Sequence, residues 1–488
     1  MPLRVFNTLS KKVEEFHPLE EGKVKFYSCG LTVNDYMHIG HARTYVVWDV
    51  VQRYLKYLGY EVLHVSNVTD ISVDDKILRR IRESGKSFQE YVQFYTRAYF
   101  DDRRALGIEM ADAHPLATQH VDEMIDLVQR LVDKKYAYVT EDGVYFRISK
   151  FKDYGKLSGI EADKLREGAS GRISADEYSK EGPGDFALWK TAKFGEPRWY
   201  SPWGAGRPGW HIECSAMAMK YLGESIDIHG GGEDNLFPHH ENEIAQSEAA
   251  TGKRFVRYWM HVKHLLMNRE KMSKSLGNYI TARDAVKKYQ AALVRFFLLS
   301  SHYRSEIDFN EKDIESAKAR FRRFRDTLRR ISSFTGIESP ARSDERELLN
   351  SITEVSQEFE DAMNNDFNTS LAMTRLVTHA MQVNEHIEQR GSLSGEAATK
   401  LLQLFKTCGE VLFGDLFEGE LLKRASHLTN GLVTLILRER DRYRTKGDYA
   451  ASDTIRSELS SLGIRVQDTE DGPVWDVEPM ALDKSSVL

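Results

Sequence analysis

Two cysteines far apart in the chain, Cys29 and Cys214, and a closely spaced pair, His239 and Glu243, offer donor types that zinc accepts. Cys214 ends the run Gly209-Trp210-His211-Ile212-Glu213-Cys214, and the pair lies in Phe237-Pro238-His239-His240-Glu241-Asn242-Glu243. Pro238 suits a first helical turn. His239 and Glu243, four apart, then share one helix face. The donors come from three places, which is not zinc-finger spacing. The competing account is two buried free cysteines and a surface His–Glu pair. His240 is also close to the carboxylates, so spacing does not choose between the two histidines.

Two shorter runs could handle phosphate. His38-Ile39-Gly40-His41 falls after a strand-like run and before a helix-like one. A helix N-terminus presents free N–H groups and partial positive charge. Gly40 would let a flat ring approach the backbone, and two imidazoles could donate to phosphoryl oxygens. Lys271-Met272-Ser273-Lys274-Ser275, followed by Leu276-Gly277-Asn278, is a basic loop able to clamp a triphosphate and stabilise departing pyrophosphate. Each has a plainer alternative: two loop histidines, and a solvated surface loop.

The elements that must position these groups read as α/β. Lys23 to Ser28 alternates like a strand that Cys29-Gly30 ends, and Ala42 to Leu58 reads as a helix stopped by Gly59. Glu61 to Val65 is a second strand, which begins a parallel α/β unit. Lys76 to Leu106 and Val121 to Lys134 read as helices, and the polar stretch Glu161 to Gly184 as an exposed insertion. Asp227 to Gly232 looks like a strand end, and Glu241 to Thr251 like a helix. From Glu311 long helices take over. Ile314, Ala317, Phe321, Phe324, Leu328 and Ile331 follow three–four spacing. An Arg-rich helix from about Leu421 precedes short strands around an Asp471-Gly472 turn.

Composition bounds the function. A chain of 488 residues predicts about three domains. Its 68 basic and 74 acidic residues leave a formal charge of −6, so any nucleic acid must meet local basic patches. No apolar run is long enough for a membrane span. With 3 cysteines a disulfide framework is excluded, and a reduced, cytoplasmic protein is expected. The first sixteen residues carry no apolar block, so no secretory signal is expected.

On this scaffold and in this order, the histidine and lysine motifs resemble the paired nucleotide motifs of class I aminoacyl-tRNA synthetases. The resemblance implies a Rossmann-like, doubly wound parallel sheet binding ATP at its carboxyl edge. It narrows at Cys29-Gly30-Leu31-Thr32-Val33, Gly209 to Met217, Asp227-Ile228-His229-Gly230-Gly231 and Phe237 to Gln246, which look like the cysteinyl-tRNA synthetase family and match nearly end to end. The resemblance implies zinc on Cys29, Cys214, His239 and Glu243, and a cysteine pocket of Gly30, Thr69, Trp210, His229 and Asp234. It implies that His38, Gly40, His41 and Lys274 bind ATP, with His38, His41, Lys271 and Lys274 catalytic and Mg²⁺ accompanying the nucleotide.

The implied reaction is activation of L-cysteine to cysteinyl adenylate, then transfer to the terminal adenosine of cysteine tRNA, by a single chain. Zinc would select the thiol, which deprotonates on a soft cation where a serine hydroxyl does not. The implied domains are a catalytic first half (1–120), a connective insertion (121–205), the second half (206–260) and a stem-contact region with the lysine loop (261–312). A helical bundle (313–418) and a small α/β anticodon-binding module (419–488) follow.

Departures from the family pattern are Leu31 for a usual proline, Asn34 for a common aromatic, an apparent two-residue insertion at Ile71-Ser72-Val73 before Asp74, and His264 for a usual small residue. The insertion leaves the place of Thr69 open. Lys318, Arg320, Arg322, Arg323, Arg325, Arg329 and Arg330 suggest phosphate contacts or a solvated bundle face. Arg438, Arg440, Arg442, Arg444 and Lys446 precede the module whose Trp475 could stack on a base. One rival is a cysteine ligase of thiol biosynthesis sharing the catalytic half, disfavoured because 420–488 supplies an anticodon region. Another is a non-catalytic RNA-binding paralogue, disfavoured by the intact motifs.

Overall fold

Strand Lys23–Ser28 lies inside a four-stranded sheet of spatial order Val256–Val262, Ile226–Gly232, Lys23–Ser28, Glu61–Ser66, and every pairing is parallel. Its alternation has a physical reason. Phe26 packs edge-on against Trp48 of helix Ile39–Tyr57, while the next residue, Tyr27, packs against His229 and a core built from helices Val121–Asp133, Trp210–Leu222 and Glu241–Thr251. The sheet is covered on both faces, as parallel sheets are. Chain order reverses at Lys23–Ser28. The second strand lies to one side and the later pair to the other, which opens a crevice beyond the carboxyl ends of Lys23–Ser28 and Ile226–Gly232.

This computed structural model describes residues 1–71, 80–81, 83–161, 181–182, 184–193, 196–272, 277–461, 464–469 and 472–477. Of 420–431, 434, 461, 465, 467–469 and 472–477 it describes the backbone alone. The polar stretch expected as an insertion, the two-residue insertion at Ile71-Ser72-Val73 and Lys274 fall wholly or mostly outside these residues.

Between the two halves of the parallel sheet the chain builds a five-stranded antiparallel sheet: Ala137–Val139, Gly143–Phe146, Phe186–Thr191, Gly204–Pro208 and Trp199–Ser201, in that spatial order. Helices Glu311–Ser332, Arg346–Asn364, Thr369–Arg390 and Gly395–Phe413 pack together beyond it in sequence. The stripe expected on the first of them, Ile314 to Ile331, is buried at all six positions. The chain divides into two compact units, Met1–Phe417 and Glu418–Leu488. The second contains helix Tyr449–Ser461, an antiparallel hairpin of Ile464–Thr469 with Gly472–Val477, and a small core of Val433, Leu437, Leu459, Ile464 and Val466.

Two expectations need correction. The helix expected over 76–106 is interrupted, because Gly85 takes φ 67° and Ser87 then caps a fresh helix, Phe88–Ala105. Ser87 accepts from the Glu90 N–H while the Glu90 carboxylate accepts from the Ser87 N–H, a reciprocal start signal. Pro238 does not open a regular helix either. Phe237 is extended, and a wide turn over Leu236–His240 leads into Glu241–Thr251.

Candidate active site

The crevice holds a cavity of about 410 Å³, lined at one end by Cys29, Cys214 and His239 and elsewhere by His38, Gly40, His41, Asp234 and Lys271. Gly30 brings the first loop against the second: a side chain there would sit 1.5 Å from the Asn67 carbonyl oxygen. The Gly30 N–H instead donates to Asn67 Oδ1 at 2.8 Å, and Thr32 bridges Thr69. These contacts place Cys29 at the crevice floor.

One donor atom from each of Cys29, Cys214, His239 and Glu243 lies within 4.8 Å of the others, and all four residues are buried. Cys29 Sγ is 3.9 Å from Cys214 Sγ, and His239 Nε2 is 3.0 Å from Glu243 Oε1. Two sulfurs on a tetrahedral zinc would be separated by about 3.8 Å, so the pair fits the ion as it stands. Cys29 and Glu243 also belong to a second group with His229 and His240. His240 also turns Nε2 to the cluster, 3.3 Å from Cys29 Sγ, while its Nδ1 lies 2.8 Å from His261 Nε2, whose Nδ1 lies 2.8 Å from Thr8 Oγ1. His239 is tied at Nδ1 to His211 Nδ1 (3.0 Å), leaving Nε2 toward Glu243. Of the two histidines, His239 lines the cavity, so a substrate could reach a metal there.

The electrostatics favour a cation. Burial alone would raise the Glu243 carboxyl, but His229 and then His239 outweigh it and hold it down at about 2. Burial opposes charge on His239, but Glu243 and then Cys214 push it up to about 10. The hydrogen bond from Cys29 brings Cys214 down to about 6, while burial pushes Cys29 well above the thiol range. A carboxylate and a thiolate thus face each other in the core, held by a proton on His239 where a metal ion could serve instead.

At the other end, His38 caps helix Ile39–Tyr57, its Nδ1 accepting from the His41 N–H at 3.1 Å. That cap starts the helix three residues before the expected Ala42. The His38 and His41 rings stack with centroids 3.4 Å apart. A side chain on Gly40 would lie 2.8 Å from the Met272 methyl and 3.0 Å from the His38 ring. Lys271 Nζ donates to Asp234 Oδ1 at 2.7 Å.

A family profile described as tRNA synthetases class I (C) catalytic domain matches residues 15–319, and a DALR domain profile matches 358–413. The cysteine–tRNA ligase of Thermococcus onnurineus is 47% identical over 97% of this chain and 99% of its own. That of Thermodesulfovibrio yellowstonii is 46% identical over 98% and 100%. The chain belongs to the class I cysteine–tRNA ligase family. A Mycobacterium tuberculosis methionyl-tRNA synthetase in complex with methionyl-adenylate shares the fold at 15% identity, with a TM-score of 0.61 over 82% of this chain and 93% of that one. An Agrobacterium radiobacter leucyl-tRNA synthetase does so at 12% and 0.58, over 83% and 86%.

Of the residues expected in a cysteine–tRNA ligase pocket, Gly30, Thr69, Trp210 and Asp234 line the cavity. Trp210 stacks on His239 at 4.4 Å between centroids. His229 stands elsewhere: it is wholly buried behind Glu243, with Nε2 2.8 Å from Glu243 Oε2 and its ring stacked on Trp259. It touches the carboxylate rather than the cavity. Sequence reasoning missed His211, His261, Asn67 and Arg43. Arg43 is 1% exposed and donates to the carbonyls of Lys263, His264, His302 and Ser305. Neither Arg43 nor the histidine partners left a signal in spacing.

The basic residues of helix Glu311–Ser332 divide. Lys318, Arg325, Arg329 and Arg330 pair with Glu315, Asp326 and Glu388, whereas Arg322 and Arg323 are exposed. Arg438, Arg442 and Arg444 are exposed but Arg440 is buried, and the Trp475 side chain lies outside the described residues. No helix among the described residues is long and apolar enough to cross a membrane.

Proposed function

We propose that the protein activates L-cysteine with ATP and transfers it to the 3′-terminal adenosine of cysteine tRNA. The observation that carries this reading is that one cavity joins a thiol-rich metal donor set to a capped helix N-terminus bearing two imidazoles. Zinc, when bound by Cys29, Cys214, His239 and Glu243, would supply a soft Lewis acid for the substrate sulfur, and serine would lack that contact.

The remaining steps belong to the chain. Asp234 offers a carboxylate to the substrate ammonium, and Trp210 closes the wall beside His239. The helix N-terminus, His38 and His41 face the ATP phosphates, with Mg²⁺ accompanying the nucleotide. The cysteine carboxylate attacks the α-phosphorus, forming a C–O–P bond as the bond to pyrophosphate breaks. Lys271 and Lys274 neutralise the departing charge. A ribose hydroxyl of the tRNA then attacks the adenylate carbonyl and AMP leaves. The work is positioning and electrostatics, with no strong side-chain base required.

ATP–pyrophosphate exchange on zinc-replete protein, with cysteine or serine as substrate, tests the reading. Cysteine-dependent exchange with serine inert is expected; equal exchange with both would overturn metal selection. Charging of an amino sugar in place of cysteine tRNA would favour the thiol-biosynthesis ligase.

A further inference from the structure

The structure gives His264 a definite place. Its imidazole lines the cavity, with Nε2 3.5 Å from Asp234 Oδ1 and 3.7 Å from Glu233 Oε2. Glu233 already pairs with Lys263. Asp234 Oδ1 also receives Lys271 Nζ at 2.7 Å. Two nitrogens therefore address one carboxylate oxygen.

The two are held very differently. Lys271 reaches Asp234 on a four-carbon stem and its side chain is 57% exposed; that of His264 is 22% exposed. The main chain beneath the imidazole is anchored in the core. Arg43 Nη1 donates to the carbonyls of Lys263 and His264, each at 2.8 Å, and the Lys263 N–H donates to the Tyr303 carbonyl at 2.9 Å. Arg43 itself belongs to the helix that His38 caps, so hydrogen bonds tie the main chain of His264 to that helix.

The proposed reaction gives both partners of this cluster a second client. Asp234 must accept the substrate ammonium, and Lys271 must serve the departing pyrophosphate. An ammonium on phosphate oxygens no longer neutralises Asp234. We infer that His264 is a positioning residue, which keeps the Asp234 carboxylate aimed at the substrate ammonium while Lys271 serves the phosphates. It does so by holding Nε2 beside the carboxylate, 3.5 Å from Oδ1, near enough to close to a hydrogen bond once Lys271 leaves. The inference rests on the cysteine-activating reading of the site.

The test is cysteine-dependent ATP–pyrophosphate exchange with full-length, zinc-replete wild type, His264→Gly and His264→Gln. The glycine variant should raise KM for cysteine about fivefold while KM for ATP stays within about twofold. Glutamine, which restores an N–H donor of similar reach, should recover most of the loss. An unchanged KM for cysteine in His264→Gly would overturn the inference. So would a rise confined to ATP, which would put the imidazole on the nucleotide, or a loss that glutamine does not recover, which would mark simple packing. Wild type without cysteine-dependent exchange would remove the reading of the site itself, a separate result.

Discussion

His229 Nε2 and Glu243 Oε2 lie 2.8 Å apart with both side chains wholly buried, so the carboxylate reaches the donor cluster already oriented from behind. A ligand fixed this way loses its geometry when its partner is removed. His229→Ala should weaken zinc binding about 10–100-fold in a chelator competition, with the far-ultraviolet spectrum unchanged. Wild-type affinity in that variant would show that Glu243 orients without help.

Cys214→Ser removes one soft donor while keeping nearly the same volume. Zinc content of the purified protein should fall well below one ion per chain, and KM for cysteine should rise far more than KM for ATP. Full zinc occupancy in this variant would exclude Cys214 as a ligand.

The metal-free protein should show two pH limits from this cluster. His239 is raised from 6.5 to about 10, so its stabilisation is complete below pH 6.5 and disappears as pH rises through about 10. Glu243 is lowered from 4.5 to about 2, so its contribution is present above pH 4.5 and is lost as pH falls through about 2. Thermal melts of apo wild type and His239→Gln should therefore converge between pH 6.5 and 10. Zinc should remove the alkaline decline, since the ion then neutralises Glu243 and Cys214. Parallel pH curves for the two apo proteins would disprove the assignment.

Gly40→Ala should cost activity before stability. The added methyl meets the flexible end of Met272 and the His38 ring, both of which can shift. We expect kcat/KM for ATP to drop about tenfold or more, with Tm within a few degrees of wild type. Gly30→Ala should behave in the opposite way, because its methyl would meet the Asn67 carbonyl of the main chain. A loss of about 1–3 kcal/mol in urea unfolding is expected there.

Local spacing carried part of this site, and the family resemblance carried the four-donor set. His239 and Glu243 fall four apart, and the strand Lys23–Ser28 feeds straight into Cys29. The choice of His239 over His240 was not visible. Both rings are held from behind at Nδ1, by His211 and His261, and what separates them is that His239 lines the cavity, which depends on tertiary packing. The break at Gly85 was missed because apolar periodicity continues across it, while the capping signal at Ser87 and Glu90 is polar. The antiparallel sheet of the insertion escaped because its strands are short and one connection, from Phe146 to Phe186, separates its two halves widely in the chain. Arg43 gave no sign of the four carbonyls it collects, since main-chain acceptors have no sequence signature.

Cys29 and Glu243 each belong to both groups of converging donors. Occupancy of one group therefore strips the other of half its members. An ion held by all four donors of one group would leave the other group, among the described residues, only two donors of its own.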